Sequence, residues 1–127
     1  MSENPLVRRL GQVAVNVHDV DRARLWYRDV LGLRHLFDAP GMAFFDVGGV
    51  RLMLSRAETG ELDHLASILY YDVEDIHAVH RTLVEKGVRF EDEPHVVAPL
   101  ARADLWMAFF RDSEGNLLAL HCEVART

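Results

Sequence analysis

The chain has 127 residues, of which half are hydrophobic and 27% are charged, and its formal net charge is −6. This size and composition are typical of one globular domain with its own core, and the negative charge argues against binding to nucleic acid or an anionic membrane, since both need a basic surface. The single cysteine, Cys122, excludes an internal disulfide framework and a zinc site built from several cysteines.

The first half of the chain is predicted to form a strand, a helix and three further strands. Within residues 12–17, three valines alternate with polar or small residues that include Gln12 and Asn16, which is typical of a strand with one buried face. Asp19 or Asp21 can then cap a helix that carries an apolar stripe. Three strands follow, over residues 33–38, 42–47 and 50–55, with a tight hairpin at 48–49.

The second half of the chain repeats this order after a polar connector over residues 56–64. Glu74 or Asp75 can cap the second helix, which ends at Gly87. Residues 91–99 contain two prolines and are predicted to form a loop or an irregular strand. The regular strands are predicted over residues 67–73, 88–90, 105–111 and 117–124, with a turn at 112–116.

Four short segments recur in the same order: residues 17–20, 31–32, 43–45 and 52–54 match residues 73–76, 86–87, 108–110 and 118–120. The offset grows from about 55 to about 65 residues, which indicates an insertion in the loop at 91–104. A unit that occurs twice predicts a pseudo-twofold fold, because one open sheet needs a second copy to cover it. We therefore predict a single α+β domain over residues 1–127, with two βαβββ units at about 10–56 and 66–124.

Two motifs resemble the most recurrent signature of the vicinal oxygen chelate superfamily, which includes glyoxalases, bleomycin-resistance proteins and extradiol dioxygenases. The first is Val17-x-Asp19 followed, within the predicted helix, by Trp26-Tyr27-Arg28-Asp29-Val30-Leu31-Gly32-Leu33, and the second is Phe109-Phe110-x-Asp112-x-x-Gly115-Asn116. The resemblance covers the chain from about Leu10 to Val124. It implies curled mixed sheets around a concave cavity, with the helices outside. It does not imply one activity, because members include lyases, epimerases, dioxygenases, thiol transferases and drug-binding proteins.

The resemblance also implies where a divalent metal would bind, namely on the first and fourth strands of each unit. The equivalent positions in this chain are Gln12, Met53, Ile68 and Ala119. Hard divalent ions prefer carboxylate, imidazole or amide donors, whereas Ile68 and Ala119 have no donor atom and Met53 offers a thioether. We therefore expect neither this metal site nor any other cofactor. A relocated metal site built from His18, His121 and Glu123 is the alternative.

Strand alternation from the inward position of Gln12, together with nearby aromatic residues, predicts the lining of the cavity. One residue of the Phe44/Phe45 pair and one of the Phe109/Phe110 pair should also face inward, and the pattern leaves open which. Asp72 needs a partner there, which Arg51, Arg102 or His121 could supply. Simpler roles compete, since Tyr70 and Trp106 could be core residues and His121 a rim residue. The predicted ligand-binding residues are Gln12, Asn16, Met53, Tyr70, Trp106 and His121.

These features favour a protein that binds a small aromatic or amphipathic organic molecule without a metal. The alternative is an enzyme of lyase, isomerase or dioxygenase type, which would use a relocated metal or acid/base catalysis by His121 with Asp72. A purely structural or regulatory module is the third hypothesis.

We also expect a homodimer, because two units leave sheet edges and a concave face to cover. Whether the units close together within one chain or between chains stays open at this level. The first nine residues lack an apolar segment of signal-peptide length, and no apolar run approaches the ~20 residues of a membrane span. The chain is therefore expected to be cytoplasmic, with no membrane partner.

Overall fold

The computed structural model describes Leu6, residues 9–56 and residues 67–126 of the chain. The first unit consists of strand β1 (Gln12–Asn16), helix α1 (Val20–Leu25, continued by a π-helical segment, Trp26–Val30), and strands β2 (Arg34–Ala39), β3 (Met42–Val47) and β4 (Val50–Ser55). The second unit consists of β5 (Leu69–Asp72), α2 (Ile76–Glu85), β6 (His95–Pro99), β7 (Ala103–Arg111) and β8 (Leu117–Ala125). The predicted α+β fold class with two tandem βαβββ units is confirmed. The predicted connector lies almost entirely outside the described residues.

Each unit folds into a four-stranded mixed sheet, with strand orders β1-β4-β3-β2 and β5-β8-β7-β6. The first strand of each unit pairs in parallel with the fourth, and the helix makes the crossover that a parallel pair requires. The remaining pairs are antiparallel hairpins. Among the described residues, β1 and β5 each have only one neighbouring strand, so both are sheet edges.

Asp19 and Asp75 begin the two helices at equivalent positions of the repeat. Asp19 Oδ1 accepts a hydrogen bond from the Arg22 N–H at 3.0 Å, and Asp75 Oδ1 accepts one from the Ala78 N–H at 3.1 Å. Each carboxylate thereby satisfies a backbone donor that has no partner within its helix. Of the two residues that the sequence offered for each cap, these aspartates are the ones used.

The second unit departs from its predicted elements before β7. Residues 88–90 supply an isolated bridge, Phe90 with Phe110, where a short strand was predicted. The segment predicted as a loop or irregular strand contains β6, whose pairing with β7 shifts between Val96 and Ala98. A bulge interrupts strict alternation, which is why the sequence pattern there is weak.

One core joins the two units. It is built from the sheet faces that carry the helices, and the largest side chains buried there come from both halves of the repeat: Tyr27, Phe45, Leu54, Ile76, Phe110, Leu118 and Leu120. The opposite face of each sheet, here called the helix-free face, points away from this core. On the first sheet it includes Gln12, Ala14, Asn16, Phe44, Arg51 and Met53; on the second it includes Tyr70, Asp72, Met107, Phe109, Ala119 and His121.

The turn at 112–116 binds the second unit to the first through a buried carboxylate. Tyr27 Oη donates to Asp112 Oδ2 at 2.6 Å, and both side chains are buried. Asp112 Oδ1 accepts from the backbone N–H groups of Glu114 and Asn116, each at 2.8 Å. The Asn116 amide also donates to the backbone carbonyl of Asn16 at 3.2 Å. Burial beside Asp112 raises the pKa of Tyr27 well above its usual value, so the hydroxyl remains a donor.

Both ends of the helix in the first unit are held by the second unit. Glu114 Oε1 accepts from the backbone N–H groups of His18 and Asp19 at 2.9 and 3.0 Å, and Glu114 Oε2 accepts from Arg22 Nε at 2.8 Å. At the other end, Lys86 Nζ donates to two backbone carbonyls of the π-helical segment at 3.2 and 3.3 Å. A carboxylate at the N-terminus and an ammonium at the C-terminus both match the helix dipole.

On the other side of the repeat, the described residues form no equivalent contact and line a cavity of about 620 Å³. In the repeat, Leu83 of α2 takes the position of Tyr27, and the Gly48-Gly49 hairpin takes that of the longer turn at 112–116. Both replacements are smaller, so space remains between the units. Tyr71 also lines this cavity, and its buried hydroxyl has no hydrogen-bond partner among the described residues. Neither helix in the described ranges is long and apolar enough to span a membrane.

The two buried tyrosines should differ in how much stability they lose when their hydroxyls are removed. Tyr27→Phe removes the donor to Asp112 and leaves a buried carboxylate short of one partner, so the free energy of unfolding should fall by about 1–3 kcal/mol. Tyr71→Phe removes no hydrogen bond to a described residue and should change stability by less than about 0.5 kcal/mol, or raise it. Urea unfolding of both variants measures the two free energies of unfolding. Equal losses would contradict the conclusion that only the Tyr27 hydroxyl forms a stabilising hydrogen bond.

The stability that Glu114 contributes should depend on pH. Burial alone would raise the pKa of Glu114, but the N–H of Asp19, the Arg22 guanidinium and the N–H of His18 hold it below its ordinary value of 4.5. A lowered folded pKa means that the contribution is present above pH 4.5 and is lost as pH falls through the folded pKa. Glu114→Gln should therefore cost about 1–2 kcal/mol at pH 7, with a deficit that shrinks in acid.

Glu91→Gln is the matched control, because Glu91 also pairs with an arginine, Arg111, at 2.6 Å but on an exposed surface. This variant should change stability little at any pH. A Glu114→Gln deficit that stays constant from pH 7 to pH 3 would refute the electrostatic role. Chemical denaturation at several pH values gives both curves.

Candidate functional site

The helix-free face of the first sheet is organised around Arg51. The parallel register of β1 and β4 sets Gln12 beside Arg51, and Arg51 Nε donates to Gln12 Oε1 at 2.7 Å. The guanidinium carbon lies 5.3 Å from the ring centroid of Phe44 and 6.0 Å from that of Phe37. These two rings stack at 4.5 Å between centroids. Gln12 Nε2 also lies 3.8 Å from Met53 Sδ, so the amide bridges the cation and the thioether.

The helix-free face of the second sheet carries a second aromatic cluster and a histidine–aspartate pair. The Tyr70 ring meets Phe109 edge-to-face at 6.1 Å and His121 at 6.4 Å. The register of β5 with β8 sets Asp72 opposite His121, and His121 Nε2 lies 4.0 Å from Asp72 Oδ1. This distance is too long for a hydrogen bond, and it is an ion-pair contact only when the imidazole is protonated. The Asp72 side chain is 81% exposed, so water reaches the pair.

The predicted ligand-binding residues lie on the helix-free faces of the two sheets, except for Trp106. Gln12, Asn16 and Met53 lie on the helix-free face of the first sheet, as the alternation predicted. Tyr70 and His121 lie on the helix-free face of the second sheet. Of the partners considered for Asp72, the described structure pairs it with His121.

The assignment of Trp106 to the cavity is wrong. Trp106 is paired with Cys122 in the register of β7 and β8, on the face that carries α2. Its ring packs against His77 of α2, with 5.0 Å between centroids, and against the shared core. Counting back in steps of two from Phe110 places Trp106 on the core side, so the alternation of β7 itself carried the signal.

The two phenylalanine pairs are resolved by the same registers. Phe45 and Phe110 are fully buried in the core, while Phe44 and Phe109 lie on the helix-free faces. Phe44, although on that face, is covered by Phe37 and Arg51. Sequence reasoning gave Arg51 only the role of a possible partner of Asp72, and it missed Phe37. The offset of one residue that a bulge introduces in β2 hides Phe37 from simple alternation.

The family model of the Glyoxalase/Bleomycin resistance protein/Dioxygenase superfamily matches residues 9–120 of the chain. The protein belongs to this superfamily. It is 31% identical over 127 residues to the uncharacterized protein YraH of Bacillus subtilis (strain 168). The alignment covers 89% of this chain and 97% of YraH.

Two solved structures illustrate how the superfamily fold is used. The antibiotic-binding protein TnmS3 from a Streptomyces species superimposes with a TM-score of 0.76 at 22% identity, over 94% of this chain and 99% of that one. The lactoylglutathione lyase from Agrobacterium tumefaciens gives a TM-score of 0.73 at 20% identity, over 93% and 96%. At these identities the likeness shows a shared fold and does not choose between binding and catalysis.

The residues at the superfamily's metal-binding positions do not fit a divalent ion. Gln12 is the only one of the four with a hard donor, and its Oε1 already accepts from Arg51. A guanidinium at this place opposes a cation electrostatically. Met53 lies beside Gln12, Ala119 pairs with Tyr70, and Ile68 precedes β5. Within the described ranges, no three His, Cys, Asp or Glu side chains converge as a metal site would require, so the relocated site has no geometric support there.

The purified protein should therefore carry well below one Fe, Ni, Zn or Mn per chain, as measured by elemental analysis. Added divalent ions should not raise the melting temperature by several degrees, since tight binding would stabilise the fold. A matched control, Met53→Glu/Ile68→His/Ala119→Glu, restores oxygen and nitrogen donors and should gain metal affinity. About one ion per chain in the unmodified protein would overturn the expectation.

Proposed function

We propose that this protein binds a small aromatic or amphipathic organic molecule on its helix-free faces without a metal. The observation that supports this most is the pairing of exposed rings with fixed polar groups on both faces. Phe37 lies beside Arg51 and Gln12 on one sheet, and Tyr70 lies beside His121 on the other. Apolar surface with a few oriented polar groups is the usual composition of a small-molecule site.

The exposure of these rings supports closure by a second copy. Phe37 is 47% exposed and Tyr70 is 46% exposed, because the two units pack through their helix-bearing faces and leave the helix-free faces open. A single open face buries too little of a ligand to hold it well. We propose a homodimer in which the first sheet of one protomer and the second sheet of its partner enclose the ligand. The sheet edges at β1 and β5 are available for this contact.

Acid/base catalysis is the second candidate function, and one distance favours it. His121 Nε2 lies 4.0 Å from Asp72 Oδ1, and the imidazole is half-buried while the carboxylate faces solvent. A histidine beside a carboxylate can move a proton to or from a bound ligand. This role would use the same face as the binding function.

The binding function predicts a specific pattern of affinity for a neutral aromatic probe, naphthamide, monitored by its fluorescence anisotropy. Tyr70→Ala and Phe37→Ala should each weaken binding about tenfold by removing aromatic contact area. Both rings are nearly half exposed, so thermal stability should change little. Trp106→Ala is the contrasting control, because it should lower stability through loss of core contacts with little effect on the affinity of the remaining folded protein.

Mixing the two weakened variants tests the shared site. A mixed dimer of Phe37→Ala and Tyr70→Ala chains contains one cavity with both changes and one with neither, so tight binding should return at one of its two sites, which is roughly a quarter of all sites after random pairing of equal amounts. If both sheets of one cavity came from one chain, mixing would restore nothing. A monomeric mass by light scattering at micromolar concentration would refute the dimer, and absence of probe binding would refute the binding function.

A further inference from the structure

We propose that Arg51 is an anion-recognition residue and that the ligand is a planar aromatic acid whose carboxylate binds the guanidinium. This inference rests on the proposed function, and it adds the chemical class of the molecule that the site accepts. The geometry that carries it is the position of a fixed, incompletely used guanidinium beside an exposed aromatic ring.

Arg51 is held in place by contacts that use little of its hydrogen-bonding capacity. Its Nε donates to Gln12 Oε1, and its planar head lies near the rings of Phe37 and Phe44. The N–H groups on its two terminal nitrogens have no acceptor among the described residues. These groups form a flat fork that matches the two oxygens of a carboxylate. Because the head is already oriented, a ligand would lose less entropy in binding it.

The charge of Arg51 is not neutralised by the chain in its described part. No described carboxylate lies within 4.0 Å of the guanidinium, whereas Arg111 and Arg126 each bind a carboxylate at 2.6 and 2.7 Å. Asp46 is the cross-strand neighbour of Arg51, but its Oδ1 accepts from the Gly49 N–H at 3.2 Å and forms no ion pair with Arg51. A guanidinium with no carboxylate partner among the described residues, on a chain of net charge −6, therefore marks a local site for an anion.

The neighbouring ring specifies the rest of the ligand. Phe37 stacks on Phe44 with an angle of 24° between ring planes, and nearly half of Phe37 remains exposed. A second flat ring can pack against Phe37 while its carboxylate reaches Arg51. Bidentate charge-assisted hydrogen bonds would set the orientation, and the stacked ring would supply apolar contact. An acidic group attached directly to an aromatic ring satisfies both requirements at once.

Two probes of nearly the same shape separate this inference from the proposed function. Naphthoate carries the carboxylate, and naphthamide replaces it with a neutral amide. The unmodified protein should bind naphthoate about tenfold more tightly, and this preference should fall at high salt, as expected for a charge-assisted contact on an open face. Arg51→Met should abolish the preference, because it should weaken naphthoate binding about tenfold more than it weakens naphthamide binding. Arg51→Lys should retain part of it, because the charge remains but the fork is lost.

Arg81→Met is the control for net charge. Arg81 is exposed on α2, on the other side of the second sheet, so this variant removes one positive charge without touching the helix-free faces. It should keep the full preference for naphthoate. Equal binding of the two probes by the unmodified protein, or equal losses for both probes in Arg51→Met, would overturn the anion role and leave the proposed function standing. If neither probe binds, the proposed function fails as well.

Discussion

The buried carboxylate of Asp112 is the constraint on which the arrangement of the two units depends. A charge removed from water must be surrounded by donors, and Asp112 takes them from Tyr27, from the backbone of its own turn and from Asn116. Because Tyr27 belongs to the first unit and the turn to the second, satisfying this one group fixes how the halves meet. The helix-bearing faces are thereby brought together, and the helix-free faces are turned outward.

This orientation links the architecture to the site. Had the sheets closed on each other within the chain, their rings would form ordinary core. Instead Phe37 and Tyr70 remain accessible, and the polar groups beside them stay available to a ligand or a second protomer. In the homodimer proposed above, affinity would be coupled to assembly, since a ligand that binds only the dimer shifts the monomer–dimer balance by mass action. The Arg51–Gln12 pair occupies one of the positions where the resemblance implies a metal ligand, and the proposed function assigns this position to an organic molecule instead.

Most of the fold followed from the sequence because its signals are local. Capping aspartates, alternating valines and the repeated segments each report on neighbouring residues, and they located both units. The site was less predictable because it depends on pairing at long range. The bond between Gln12 and Arg51 exists only because β1 and β4, which are 39 residues apart at this point, pair in parallel and in one register. The prediction for Trp106 was wrong because it relied on the aromatic side chain alone, whereas the alternation of β7 places Trp106 on the face that carries α2. The sequence did not predict the π-helical segment, because its apolar stripe also fits an ordinary α-helix.

The cavity between Leu83, Tyr71 and the Gly48-Gly49 hairpin shows that the two copies of the repeat have become unequal partners. The longer turn at 112–116 binds the neighbouring helix. Among the described residues, no hydrogen bond joins the short hairpin to the second unit, and the hairpin borders the cavity. Insertions at residues 48–49 would therefore displace no packed side chain, while any change of length at 112–116 would strip a buried charge of its donors. The turn at 112–116 must therefore keep its length, whereas the hairpin at 48–49 tolerates insertions. Such a domain can acquire a new loop at this hairpin without a change in its core.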